Sequence, residues 1–262
     1  MNDLKHEAAS RTAHTESAAP DIAVDIAAVG TRIAAAIDRL AEARPRVHAL
    51  VAPVAQPFVA NVATAAGIDI SMTVDADEVG TMAAHSDALL VNLGMMDKAR
   101  REGAVAAVAS GCPFVLDPVK VDRSPKRLEF ALRLADESPR IVKGNRREME
   151  ALGALRPSIV TATTGPVDRV AGEGRSVSLA NGTRLLDKVI ATGCAAGALT
   201  AAMIAVEDDP FVASLAALAL MSVSAEIAAE EAKGPGSFAV HLLDTLAMID
   251  GETILSRLRL ET

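Results

Sequence analysis

At Val189-Ile190-Ala191-Thr192-Gly193-Cys194, two β-branched residues run into a small Thr-Gly turn, a cysteine, and a run of small residues able to form a tightly packed helix over 194–206. A strand that stops at Thr-Gly and opens into a helix turns unpaired backbone N–H groups toward one spot, with the helix dipole behind them. Such a spot binds anions, including a phosphate or a phosphoryl group in transfer. Thr192 and Gly193 form the turn, and Cys194 falls in the first helical turn, where a thiol pKa is expected to drop. The same residues also read as a buried small-residue helix carrying an inert cysteine.

Other polar residues end short apolar runs. Asn92 closes Leu89-Leu90-Val91, Asp117-Pro118 follows Phe114-Val115-Leu116, Lys143-Gly144-Asn145 follows Ile141-Val142, and Thr163-Thr164-Gly165 follows Ile159-Val160-Thr161. One Asp, one Lys, one Asn, two Thr and an anion turn are the parts of a phosphoryl-transfer site. Taken singly they read more simply. Asp117 can cap a turn before Pro118, and Asn145 can N-cap the next helix with Glu148 completing a capping box.

The elements that must position these residues follow from periodicity. Residues 21–43 place Ile22, Ile26, Val29, Ile33, Ile37 and Leu40 at helical spacing. Apolar runs at 47–51, 68–74, 88–93, 113–116, 140–142 and 158–161 read as buried strands. Helical segments near 58–66, 76–84, 98–109, 125–135 and 146–152 separate them. Residues 167–171 and 175–179 flank Gly172-Glu173-Gly174 as a hairpin, and the last third is helical with a break at Gly234-Pro235-Gly236. Alternating strands and helices predict right-handed crossovers and a three-layer α/β/α fold with a mostly parallel central sheet. Ligands of such sheets bind beyond the carboxyl ends of the strands, where the polar residues above lie.

Composition narrows the class. The 262 residues suit one large α/β domain over 21–262, preceded by a polar, aperiodic stretch at 1–20 that reads as a mobile tail. Half the residues are apolar, yet the chain has five Phe and neither Trp nor Tyr, so the core is aliphatic and close-packed. A net charge of −8 without a basic cluster argues against nucleic acid. Two cysteines make no disulfide framework, and there is no basic-then-apolar leader, so a cytoplasmic location is expected. The longest apolar region, 210–225, contains Ser214, Ser222 and Ser224 and reads as a buried helix rather than a membrane span.

Read in order, the segments resemble the hydroxyethylthiazole kinase family of the ribokinase-like superfamily. The resemblance spans about residues 44–246. It rests on Phe58-Val59-Ala60-Asn61-Val62, Leu89-Leu90-Val91-Asn92-Leu93-Gly94, Leu116-Asp117-Pro118-Val119, Gly144-Asn145-Arg146-Arg147-Glu148, Thr164-Gly165 with Asp168, Thr192-Gly193-Cys194-Ala195, and Gly234-Pro235-Gly236-Ser237-Phe238 followed by His241, Leu243, Asp244 and Leu246. It implies a ribokinase-like fold, a homotrimer, and phosphorylation of the hydroxyl of 4-methyl-5-(2-hydroxyethyl)thiazole with ATP and Mg²⁺ in thiamine salvage. By position it assigns Met72 to the thiazole and Lys143 and Thr164 to ATP. It assigns Asp117 and Glu148 to the metal and phosphate region, and Cys194 to the catalytic base, which is an Asp in most ribokinase-like enzymes.

The chain departs from that pattern in four places. Val51 and Ala52 stand where the family has a Thr-Asn pair. Ala191 replaces a glycine that contacts the substrate, so its methyl group is expected to crowd the ring or distort the turn. Lys120-Val121-Asp122-Arg123 replaces a Gly-Ala-Gly-like segment, and between Leu152 and Ser158 a helix and its loop are missing. Two alternatives to the thiazole kinase therefore stand beside it: a kinase of the same fold for another small alcohol, and a catalytically idle homologue that binds a nucleotide or a partner protein.

Overall fold

The computed structural model describes residues 22–262, so the expected tail at 1–20 lies outside the described residues. Among the described residues, nine strands form one sheet in the order β2-β1-β3-β4-β5-β6-β7-β8-β9. The parallel part comprises β1 (Arg46–Leu50), β2 (Asp69–Ser71), β3 (Ala88–Asn92), β4 (Phe114–Asp117), β5 (Ile141–Asn145) and β6 (Val160–Thr164). The antiparallel part adds the predicted hairpin, β7 (Asp168–Gly172) and β8 (Arg175–Leu179), and a terminal strand β9 (Leu260–Glu261) that periodicity did not reveal.

Helices cover both faces, as the near-continuous apolar strands require. On one face α3 (Ala76–Ala84), α4 (Lys98–Val108), α5 (Pro125–Asp136) and α6 (Arg146–Leu152) pack on Leu89, Val91, Leu116 and Val142. The other face carries α1 (Ile26–Ala43), α2 (Gln56–Ala65), α7 (Thr192–Val206), α8 (Pro210–Glu231), α9 (Pro235–Met248) and α10 (Gly251–Arg257) on Ala49, Leu90, Val115 and Ile141. α8 is long and apolar enough to cross a membrane by length and composition, but 89% of its apolar window is buried inside the fold, which makes it a core helix.

One expected element is absent. No strand leads into the Thr192-Gly193 turn; a 3₁₀ turn, Arg184–Lys188, takes its place. Val189 is extended but has no partner strand, and Ile190 is 73% exposed, so the β-branched pair gains nothing from a sheet. The predicted N-terminal helix also starts later, at Ile26, capped by the Asp25 side chain.

Candidate active site

The strand order changes direction between β1 and β3, because β2 lies on one side of β1 and β3 on the other. A crevice at the carboxyl ends of the strands is the usual ligand site at such a point. Side chains alternate along each strand. Asn92, Asp117 and Lys143 therefore share the face of Leu90, Val115 and Ile141, on which α7 lies. Asn92 is in register with Asp117, and Thr164 with Asn145.

These residues form one buried network. Lys143 Nζ is 3.3 Å from Asp117 Oδ2, with side-chain exposures of 3% and 2%. The same ammonium donates to the Gly193 carbonyl oxygen at 3.1 Å, which ties β5 to the first turn of α7. Asn92 Nδ2 donates to Asp117 Oδ2 at 2.9 Å, and Asn92 Oδ1 accepts from the Gly94 amide at 3.0 Å. Burial disfavours charge on Lys143, but the Asp117 carboxylate and Cys194 beside it outweigh that and hold the ammonium above the ordinary lysine range. Burial pushes the Asp117 carboxyl up, against the opposing pull of Lys143.

Cys194 reverses an expectation. Its position in the first turn of α7 predicted a lowered pKa, yet the thiol is pushed up to about 11. Burial is the main cause, with the negative charge of Asp117 adding to it; Lys143 and an Asn92 hydrogen bond act in the opposite direction. A desolvated thiol facing a carboxylate outweighs the weak field of a helix end.

The turn itself is strained. Ala191 caps α7 with φ 73° and ψ 8°, a left-handed conformation that suits glycine. Its carbonyl accepts the first helical bond from the Ala195 amide at 2.8 Å, and Thr192 Oγ1 donates to the Leu186 carbonyl at 3.0 Å. Space beside Gly193 is open.

Glu148 has two roles. The capping box read from the sequence exists: Asn145 Oδ1 accepts from the Glu148 amide at 3.1 Å, and Glu148 Oε2 accepts from the Asn145 amide at 2.9 Å. The other carboxylate oxygen, Oε1, accepts from the Lys120 amide at 2.8 Å. The side chain is buried, and no basic side chain pairs with it among the described residues.

Beside this network lies a cavity of about 550 Å³ whose lining includes Lys120, Arg123, Arg146 and Arg147 together with Thr164, Gly165 and Pro166. Thr164 thus faces the cavity, whereas Lys143 does not line it, its ammonium being committed to Asp117 and Gly193. The sequence places these four cations in the Gly144–Glu148 motif and in the Lys120–Arg123 segment without giving them a role; the basic pair Arg146-Arg147 next to Glu148 is the available signal. Asp168 belongs, with Thr164-Gly165, to one of the sequence motifs, which gives it no separate role. Its Oδ1 accepts from the Gly165 amide at 2.9 Å, Ser222 Oγ donates to its Oδ2 at 3.5 Å, and burial raises its pKa to about 6.

Met72 lies apart from these residues. It follows β2, the edge strand, three strand spacings from β4, or about 14 Å across the sheet. The fully buried His48 fixes its backbone: Nδ1 is 2.7 Å from Ser71 Oγ, and Nε2 is 2.9 Å from the Thr73 carbonyl oxygen. Burial lowers the His48 pKa, so the ring is neutral, donating to the carbonyl and accepting from the hydroxyl. Val51 and Ala52 follow β1 as buried apolar residues, and Ala52 borders Gly94.

The fold is of the ribokinase-like class. Pyridoxal kinase from Staphylococcus aureus, solved with AMP-PCP and pyridoxal, shares it at TM-score 0.56 and 14% identity over 69% of this chain and 87% of that one. Hydroxyethylthiazole kinase from Pyrococcus horikoshii OT3 superposes with TM-score 0.83 at 33% identity, covering 88% of this chain and 98% of that chain. The profile of the hydroxyethylthiazole kinase family matches residues 37–157 and 150–252, two stretches that overlap from the end of α6 into the α6–β6 connection. A protein of Agrobacterium fabrum named "Probable hydroxyethylthiazole kinase" is 45% identical over 234 residues, 88% of this chain and 95% of the relative. The hydroxyethylthiazole kinase of Cronobacter sakazakii is 35% identical over 246 residues, 83% and 93% of the two chains. The chain belongs to the hydroxyethylthiazole kinase family, whose members are kinases that phosphorylate a hydroxyl.

Proposed function

We propose that the protein transfers the γ-phosphoryl group of ATP to the hydroxyl of 4-methyl-5-(2-hydroxyethyl)thiazole, a step of thiamine salvage. The observation that carries this reading is the convergence of Asn92, Asp117 and Lys143, from three adjacent strands, on the Gly193-Cys194 turn of α7. The first-turn amides of α7 have no intrahelical acceptors and receive the transferring phosphoryl group. Cys194 takes the hydroxyl proton as the oxygen attacks phosphorus and ADP departs. Lys143 favours the thiolate and steadies the turn, while Thr164 holds the nucleotide in the adjoining cavity. Magnesium supplies charge neutralisation at the phosphates when bound; Glu148, a buried carboxylate without an ion-pair partner among the described residues, and Asp117 are the oxygen donors that would hold it.

We also propose a homotrimer, in which Met72 of one subunit reaches the pocket around Cys194 of its neighbour. The separation of Met72 from Asp117 within one chain supports this. Light scattering that returns a monomer mass at working concentration refutes it. Both cysteines are free, which supports a reducing, cytoplasmic setting.

A kinase for a different small alcohol is favoured by one observation: the Ala191 methyl group and the apolar pair Val51 and Ala52 alter the surroundings of the strand ends. An ADP-release assay with the thiazole alcohol against a panel of small alcohols decides between the two. Turnover of the thiazole above every other alcohol upholds the first reading, and absence of turnover on all of them leaves the idle homologue.

A further inference from the structure

The cavity beside Thr164 carries more positive charge than its walls neutralise. Among the described residues, Asp122 and Asp187 are the only acids lining it, against Lys120, Arg123, Arg146 and Arg147. Arg146 is tied to Glu150 at 2.8 Å, and Arg123 lies 3.6 Å from Asp122. Lys120 and Arg147 have no carboxylate partner among the described residues, and both are exposed to the cavity.

Lys120 is held there against its backbone preference. Its φ of 61° and ψ of 27° lie in the left-handed region that a lysine avoids. The Glu148 carboxylate clamps this conformation through the Lys120 amide, and its other oxygen holds the Asn145 amide. A single buried carboxylate therefore fixes the spacing of two segments that supply cations to one cavity. Backbone strain of this kind persists where the surrounding structure imposes it, and it concentrates at functional sites.

We propose that Lys120, assisted by Arg147, is a polyphosphate-binding residue of this chain, gripping the nucleotide from the β4 side of the cavity. The proposal rests on the reading of that cavity as the nucleotide site. It predicts opposite signs for stability and affinity. Lys120→Gly relieves the left-handed strain, keeps the amide bond to Glu148 and removes one charge.

The experiment uses the purified full chain and a fluorescent ATP analogue with magnesium. Lys120→Gly should raise Tm by about 2–4 °C and weaken the analogue about tenfold, the loss of one charge-assisted contact. The corresponding AMP analogue, which lacks the outer phosphates, should change less than about twofold if Lys120 meets only those phosphates. Lys120→Asn, whose side chain also tolerates this backbone, should weaken the ATP analogue alike. Unchanged ATP affinity, equal losses for ATP and AMP, or a lowered Tm in Lys120→Gly overturns the proposal. Thr164→Val separates the two levels. If it weakens the analogue while Lys120→Gly does not, only the role of Lys120 falls; if neither variant weakens it, the cavity is not the nucleotide site.

Discussion

The Lys143 ammonium lies against the Asp117 carboxylate, 3.3 Å between Nζ and Oδ2, in a part of the molecule from which water is almost wholly excluded. Neither group is tolerable there alone. A buried pair adds little net stability over apolar side chains, but removing one partner leaves an uncompensated charge. Lys143→Met should lower unfolding free energy in urea by about 3–5 kcal/mol, and adding Asp117→Asn should recover much of that loss. A neutral single variant would show that Asp117 does not depend on Lys143.

Cys194 tests the proton transfer. With its thiol pushed up to about 11, the thiolate is a minor form at neutral pH. If the thiolate is the base, kcat/KM should climb with pH between 7 and 10 with near-unit slope in its logarithm. Cys194→Ser should lower kcat by about 10²-fold or more. Cys194→Asp should keep activity and flatten the climb, since a carboxylate ionises far below a thiol. Wild-type turnover in Cys194→Ala would remove the cysteine from the chemistry.

Ala191 holds a conformation that glycine adopts without strain. Ala191→Gly should stabilise the protein by about 0.5–1 kcal/mol, the strain relieved less the extra entropy of an unfolded glycine. It should also improve KM for the thiazole alcohol by about 1 kcal/mol, or roughly fivefold. A gain in Tm with KM unchanged would mean that the methyl group strains the turn without obstructing the substrate, and the other-alcohol reading would gain.

Asp168 gives a pH signature. Its carboxyl is raised from 3.8 to about 6 by burial. The folded state therefore binds this proton more tightly than the unfolded state, and stability declines as pH rises from about 4 to 6 and stays lower above that. Asp168→Asn keeps an oxygen to accept from the Gly165 amide and abolishes the titration. It should be more stable than wild type at pH 7, by up to about 3 kcal/mol, with the difference shrinking towards pH 4. Parallel stability curves for the two proteins between pH 4 and 7 would contradict this.

Much of the parallel half of the molecule was legible because β1, β3 and β4 are almost wholly buried and α3, α4, α5 and α6 each open on a side-chain cap. α3 and α6 have the bounds that the sequence predicts, each opened by an Asp or Asn that caps it. β5 extends beyond its apolar run to Lys143-Gly144-Asn145 because pairing with Ala162, Thr163 and Thr164 holds those residues extended whatever their propensity. β2 is shorter than its apolar run because it has a strand on one side only and ends where His48 ties Ser71 and Thr73. The strand expected before α7 failed for want of a neighbour. The network around Asp117 was half visible: polar residues at strand ends could be named, but the choice of Asn92 and Lys143 as its partners depends on strand order, which no local pattern encodes.

Gly197 sits where α7 crosses the sheet, and a β-carbon there would stand 3.1 Å from Leu90 Cδ1 and 3.2 Å from Asp117 Oδ2. The helix has no polar face to orient it, so this notch acts as a detent: α7 can neither slide along its axis nor roll without driving a bulkier neighbour into Leu90. The thiol of Cys194, one turn earlier, inherits that fixity. A bulkier residue at position 197 would therefore disturb Leu90, Asp117 and the Cys194 thiol together, three groups that no single contact joins.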